Sequence, residues 1–327
     1  MSFLLIPYKG GQAIHTFPRP ILVISKCMGI EHCRYDGQMV PYDIAKDLQP
    51  FIEFITVCPE CDIGLGVPRD PIRLINGEKL RLVQPATGED ITEKMQVFVN
   101  SFLNNLLAVD GFILKSKSPS CGFGTTKVFE SADAKEPLHR HSTGLFAKGI
   151  LDRLGHIPYI DETSLMDPYK RDHFFTRIFM HADLRLHTSS IQELIDFQTR
   201  NKLLLMAYKQ RKQKILGRIL ANYKSQHFPE IFTAYSKTLH EMTSIAPSIG
   251  NIINAFMHAF GYFSHCLESE KKQYLLNCME EYRKGRLSLQ ELRRVFISCI
   301  FKFNVDYLAD QTLFYPYPEK LNDPNLI

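Results

Sequence analysis

The chain has 327 residues, 45% of them hydrophobic and 23% charged, with a formal net charge of +4. That is the composition of a folded protein long enough for two domains; it excludes a chain that attracts anions through its overall field, so any such attraction must come from local patches. Eight cysteines spread over this length lack the density of a disulfide-stapled secreted domain. Thiols that are free, metal-bound or catalytic in a reducing, cytoplasmic setting are expected instead.

The opening run Phe3-Leu4-Leu5-Ile6 is short and is broken by Pro7, Lys9 and two glycines, which is not the pattern of a signal peptide. Ile21-Leu22-Val23-Ile24 reads as a buried strand, and Ser25-Lys26-Cys27-Met28-Gly29 follows it. A helical stretch near 44–51 leads to a second strand, Phe54-Ile55-Thr56-Val57, which ends at Cys58-Pro59-Glu60. Residues 91–109 show helical spacing through Met95, Phe98, Phe102 and Leu106, with Asp90 or Thr92 as the cap. Gly111-Phe112-Ile113-Leu114 is a third strand, and Cys121 lies in the Ser/Pro/Gly turn beyond it. Strand–helix–strand order with its polar loops after the strands predicts an α/β domain, Rossmann-like and mostly parallel, with the site beyond the carboxyl ends of the sheet.

Residues 161–189 read as a connecting region, and from Ile191 onward the chain reads as successive amphipathic helices. Breaks are expected near Phe228-Pro229, Ser244 to Gly250, Gly285 and Asp310. The stretch Thr243 to Leu267 has no Lys, Arg, Asp or Glu, but Pro247, Asn251, Asn254, His258 and His265 make it a poor membrane span and a good buried helix. The predicted organisation is an α/β domain at 1–166, a linker at 167–189 and an all-α domain at 190–327, with no membrane contact.

Cys266, Cys278 and Cys299 fall on helical stripes and read as core thiols. Cys27, Cys58 and Cys121 differ, because their neighbours are polar and turn-forming. Three thiolates at strand ends can hold an iron–sulfur cluster with one iron left open for chemistry. Cys58 and Cys61 form half of a structural zinc site, but no second C-x-x-C pair follows. Spacing alone does not choose among buried thiols, zinc and a cluster.

The chain also resembles a known family. Val23-Ile24-Ser25-Lys26-Cys27-Met28-Gly29, Arg34-Tyr35-Asp36-Gly37, Cys58-Pro59-Glu60, Gly64-Leu65-Gly66-Val67-Pro68-Arg69 and Lys115-Ser116-Lys117-Ser118-Pro119-Ser120-Cys121-Gly122 are similar, in order, to motifs of the bacterial thiouracil desulfidases. Residues 191–318 resemble a helical domain of unknown function often fused to them, through Leu216-Gly217-Arg218, Tyr282-Arg283-Lys284-Gly285 and Tyr315-Pro316-Tyr317-Pro318 among others. The first resemblance implies a [4Fe–4S] cluster on Cys27, Cys58 and Cys121, with Glu60 and Ser118 as catalytic residues. It implies non-redox, hydrolytic removal of sulfur from a thiolated uracil base, nucleoside or nucleotide, with hydrosulfide released. Cys33 and Cys61 depart from the family pattern, and Cys61 is positioned in sequence to compete with Cys58. Gln198 and Asn201 stand where histidines are usual in the helical domain.

Two further features have two readings each. Tyr35 can stack on a pyrimidine and Arg34 can pair with an anion, or Arg34 and Asp36 can simply pair with each other. Residues 197–229 contain no acid but carry Arg200, Lys202, Lys209, Arg211, Lys212, Lys214, Arg218 and Lys224, either a solvated helix face or a surface for RNA. An RNA- or partner-binding protein with a structural cluster or zinc site is therefore the alternative to an enzyme.

Overall fold

Leu22, Val23 and Ile24 are fully buried, because a strand covered on both faces needs a continuous apolar run. In the computed structural model, which describes residues 3–6, 15–186, 189–223 and 227–323, this strand, Ile21–Ser25, is the second from one edge of a four-stranded sheet. It pairs in parallel with Glu53–Val57 on one side and Gly111–Leu114 on the other, and Tyr159–Asp161 adds in parallel beyond the latter. Parallel neighbours need crossovers, supplied here by segments containing the helices Ile44–Leu48, Thr92–Asn105 and Leu145–Leu154. Val23, Val57, Phe112 and Leu114 share a core with Met95 and Val99 of the second helix and Phe146 and Ile150 of the third.

The chain leaves the Ile21–Ser25 strand to one side, then returns across it to build the other side. That reversal opens a crevice at the carboxyl ends of the strands, where open α/β sheets bind ligands. Cys27 follows Ser25, Cys58 follows Val57, and the loop that carries Cys121 follows Leu114. The fold class expected from sequence is the one observed.

A second, five-stranded sheet was not legible in the sequence. It runs His139–Ser142, Thr126–Phe129, Arg73–Ile75, Arg81–Gln84 and Glu89–Asp90, with mixed pairing. Its strands have two to four residues and include charged positions, too short for a period-two signal.

The Cys121 loop is fixed by the helix that follows it. The amides of Leu145 and Ala147 donate to the carbonyls of Pro119 and Ser120, so donors with no partner inside the helix are satisfied by the loop. Gly144 permits that approach, since a Cβ there would lie 2.5 Å from the Ser120 carbonyl carbon and oxygen. Gly144→Ala is expected to cost about 1–3 kcal/mol through overpacking, read as a lower urea midpoint. An unchanged midpoint would mean that the loop is not held this way.

Two compact units divide the chain, one containing 19–174 and the other 175–322. The division falls inside a 19-residue helix, Pro168–Leu186, in the stretch read from sequence as a linker. Its mixed aromatic and polar texture hides a helical pattern, as the buried Phe175, Ile178, Phe179 and Ala182 show. The second unit is mostly helical. Ile191–Arg200, Lys202–Ala221, Phe228–Thr243, Ile249–Phe263, Ser269–Arg283 and Leu289–Lys302 surround Phe197, Tyr235, Phe256, Phe263 and Phe296. The charge-free helix Ile249–Phe263 is capped by Ser248 and exposes Met257 and Tyr262, so it is amphipathic. Among the described residues, no helix is long and apolar enough to cross a membrane. Cys278 is buried as expected, Cys299 is half-buried, and Cys266 is exposed in a short 3-10 turn where the helix before it has ended.

Candidate active site

Cys27, Cys58 and Cys121, delivered by three strand ends, line one cavity of about 460 Å³ at the crevice. Cys33 lines it too, from the loop after Cys27. The Cys27 thiol is the largest influence pushing the Cys33 thiol up to about 12. The Cys58 thiol is pushed up by its contact with Cys33 and then by burial. Burial pushes the Cys121 thiol up as well; the nearby Glu60 carboxylate adds to this, and the hydroxyls of Ser25 and Ser118 oppose it.

Cys61 lies differently. It stands one helical turn after Cys58 in the short helix Pro59–Asp62 and is absent from the cavity wall. Its Sγ is 3.8 Å from the Cys33 carbonyl oxygen and accepts from Arg69 Nη1 at 3.7 Å. The Cys58 Sγ donates to the same carbonyl at 3.8 Å. The structure therefore presents Cys58 to the cavity and ties Cys61 to Arg69.

Glu60 reaches the same wall. One carboxylate oxygen, Oε2, accepts from Arg69 Nε at 2.9 Å and Nη2 at 2.7 Å. The other, Oε1, accepts from the hydroxyls of Ser118 at 3.3 Å and Ser120 at 3.1 Å. Burial works against the Arg69 charge, but Glu60 outweighs it and the guanidinium pKa is raised. Ser118 also shapes the thiol loop, because its Oγ accepts from the amides of Ser120 at 3.1 Å and Cys121 at 3.0 Å. Lys117, in the left-handed region at φ 61°, makes the turn before it.

Arg34 and Tyr35 line the cavity, whereas Asp36 does not. Arg34 Nη2 lies 3.3 Å from Asp36 Oδ2, so the pairing of these two side chains is formed, and Tyr35 remains largely exposed. On another wall Lys115 Nζ contacts the buried Glu162 at 2.5 Å, and Ser116 donates to Glu162 through its amide at 2.8 Å and its hydroxyl at 2.6 Å. The Lys115 amide donates to Ser25 Oγ at 3.1 Å, linking this wall to the Cys27 strand.

Comparisons with known proteins bear on the two regions of the chain separately. Residues 22–162 match the family model described as 2-thiouracil desulfurase. These residues belong to that family. Residues 202–318 match DUF1722, described as a protein of unknown function. The first region is similar to the uncharacterized protein YbbK of Bacillus subtilis, 29% identical over 115 residues, which are 32% of this chain and 74% of YbbK. The second is similar to the uncharacterized protein YbgA of Escherichia coli, 28% identical over 122 residues, covering 36% of this chain and 72% of YbgA. Among solved structures, the [4Fe-4S]-dependent thiouracil desulfidase TudS matches 45% of this chain and 93% of its own, at 26% identity and a TM-score of 0.37.

The donor set in the desulfurase domain fits an iron–sulfur group. Cys27, Cys33, Cys58 and Cys121 are unbridged thiols around a space large enough for a polyatomic centre. Iron in such a centre selects thiolates, and cation binding drives off the protons that the buried thiols hold. Among the described residues, no three His, Cys, Asp or Glu side chains close on a single ion.

Sequence reasoning missed three partners here: Arg69 as the clamp on Glu60, Ser120 as its second hydroxyl, and the Lys115–Glu162 pair. In the sequence Arg69 stands only as the end of the Gly64-Leu65-Gly66-Val67-Pro68-Arg69 motif, and nothing local tells which carboxylate such an arginine meets.

In the helical unit Arg200 pairs with Asp183 at 2.9 Å and Lys212 with Glu241 at 2.8 Å. Lys202, Lys209, Arg211, Lys214 and Arg218 are exposed, and Lys224 lies outside the described residues. Gln198 accepts from the buried Tyr235 hydroxyl, while Asn201 donates to the Phe197 carbonyl and accepts from Thr312, so both serve packing.

Proposed function

We propose that the protein removes sulfur from a thiolated uracil base, nucleoside or nucleotide by hydrolysis, giving the oxo pyrimidine and hydrosulfide. The observation that carries this reading is the convergence of Cys27, Cys58, Cys121 and the Glu60 carboxylate on one cavity, in a domain of the 2-thiouracil desulfurase family. Cys27, Cys58 and Cys121 would hold a [4Fe–4S] cluster. When bound with three protein ligands, such a cluster supplies a thiophilic Lewis acid that polarises a C=S bond and takes up the departing sulfur.

The chain's own residues then have separable roles. Glu60 takes the proton of the attacking water, and its position is set by Arg69 on one oxygen and by Ser118 and Ser120 on the other. Tyr35 offers a face for the pyrimidine ring. Lys26, Arg34, Lys117 and Lys127 also line the cavity, where Glu60 is the acidic lining residue, which suits a substrate with a phosphate.

The test is anaerobic reconstitution followed by metal analysis and turnover. About four irons per chain, with release of hydrosulfide from 2- or 4-thiouracil or their nucleotides, is the expected result. Protein that binds iron in that amount but turns over none of these compounds would end the enzymatic reading.

A second reading rests on the exposed Lys209, Arg211, Lys214 and Arg218 of helix Lys202–Ala221, a run with no acid. Such a face suits a polyanion, and RNA is the fitting partner for a protein that acts on pyrimidines. RNA binding that weakens steeply with salt and persists without iron would support it. Binding indifferent to salt would remove it.

A further inference from the structure

Arg69 belongs to no ligand set and to no reacting group, yet its bonds tie together the parts of the site. Its side chain is 4% exposed, and it leaves the irregular loop at 64–69 to reach two other segments as well as the loop's own Gly66. Nε and Nη2 donate to Glu60 Oε2 at 2.9 and 2.7 Å. Nη1 donates to the carbonyl oxygens of Cys33 at 3.0 Å and Gly66 at 2.9 Å, and approaches Cys61 Sγ at 3.7 Å. Its backbone amide donates to the Tyr35 carbonyl at 2.8 Å. One residue thus joins the loop of Cys33 and Tyr35 to the helical turn that carries Glu60.

We propose that Arg69 is the positioning residue of this site, acting on the reaction through the Glu60 carboxylate, an inference that rests on the desulfurase reading above. The chemistry of the side chain favours it. A planar guanidinium donates in a fixed fork, so two donors to one oxygen leave the carboxylate little rotational freedom. With Oε2 clamped, Oε1 is the atom turned to Ser118 and Ser120, and through them to the loop of Cys121. A lysine can supply the charge but not the fork. A base displaced by about 1 Å loses about 100-fold in rate, which is the scale of effect a clamp of this kind controls.

A double-substitution cycle of Arg69→Lys and Glu60→Gln on the full chain, anaerobically reconstituted, tests this with two readouts. The first is kcat and KM for thiouracil desulfuration. Arg69→Lys should lower kcat about 10- to 100-fold with KM within about threefold, because the amide tie to Tyr35 survives. In the Glu60→Gln background the same substitution should lower kcat by less than about threefold, since the group it positions is already gone. The second readout is the urea midpoint, which needs no activity. The double variant should lose less than the sum of the two single losses, because both substitutions break the same contact.

An equal loss of kcat from Arg69→Lys in both backgrounds overturns the proposal, as does an additive set of urea midpoints. If Arg69→Lys fails to fold, Arg69→Gln is carried through the same cycle and judged by the same two outcomes. If the native protein desulfurates nothing while binding iron, the functional reading fails by itself. The urea cycle then still decides whether Arg69 and Glu60 act as one unit.

Discussion

Glu60→Gln is expected to lower kcat for thiouracil desulfuration by about 10²- to 10⁴-fold while the iron content per chain stays at its native value. The side chain keeps its size but can no longer take a proton from water. It also carries an NH2 group that must face either the Arg69 donors or the Ser118 and Ser120 hydroxyls, where the native carboxylate accepts four hydrogen bonds. Glu60→Asp separates charge from reach: it can still accept a proton, but one methylene shorter, and a loss of about 100-fold is expected. Ser118→Ala removes one donor to Oε1 and two acceptor bonds that shape the Cys121 loop, so it should lower both activity and iron retention. Native turnover in the Glu60→Gln protein, measured as hydrosulfide released, would remove Glu60 from the reaction.

The carboxylate's partners show where sequence reasoning reached its limit. Glu60 could be singled out because it stands two residues from Cys58, and Ser118 because it stands three before Cys121. Both arguments are local, and the structure brings these two residues together at 3.3 Å. Arg69 is also close in sequence, but it approaches Glu60 from an irregular loop whose path no periodicity describes. Glu162 meets Lys115 and Ser116 across 46 or 47 residues, through a strand pairing that the sequence did not reveal. Tyr159–Asp161 is three residues long and half polar at its ends, so it carries no strand signal.

The fold followed the same rule. Ile21–Ser25 and Gly111–Leu114 announced themselves as apolar runs because they are covered on both faces, the edge strand Glu53–Val57 through its apolar Phe54, Ile55 and Val57, and each strand is followed by a cysteine loop. The short strands of the second sheet owe their state to tertiary contacts rather than to pattern, whereas the helix Pro168–Leu186 has a buried stripe that its polar residues obscure. The helix mixes Lys170, Arg171, Asp172 and His173 with Phe174 and Phe175, which masks the buried stripe. The cysteine set was therefore legible as a set of strand ends, whereas its surroundings became visible only when loops distant in sequence met.

The largest expected difference in metal content is between neighbouring cysteines. Cys58→Ala should abolish stable cluster binding and turnover, and Cys61→Ala should leave about four irons per chain. The reason is orientation. Cys58 is the residue just ahead of helix Pro59–Asp62, with extended backbone, and its thiol lines the cavity with Cys27 and Cys121. Cys61 lies within that helix, and its thiol is held by Arg69 Nη1 and the Cys33 carbonyl. Removing Cys61 leaves those two groups with each other, since Arg69 Nη1 already donates to the Cys33 carbonyl at 3.0 Å. On the proposed assignment, removing Cys58 would leave two of the three thiolates, too few to retain the cluster against solvent and chelators. Cys33→Ala is the informative third variant, because that residue lines the same cavity as Cys27, Cys58 and Cys121. Full iron and full turnover in Cys33→Ala and Cys61→Ala, with neither in Cys27→Ala, Cys58→Ala or Cys121→Ala, is the pattern of a three-thiolate site. Retention of iron by Cys58→Ala together with its loss from Cys61→Ala would exchange the two residues and require the helical turn to rotate its other face to the cavity.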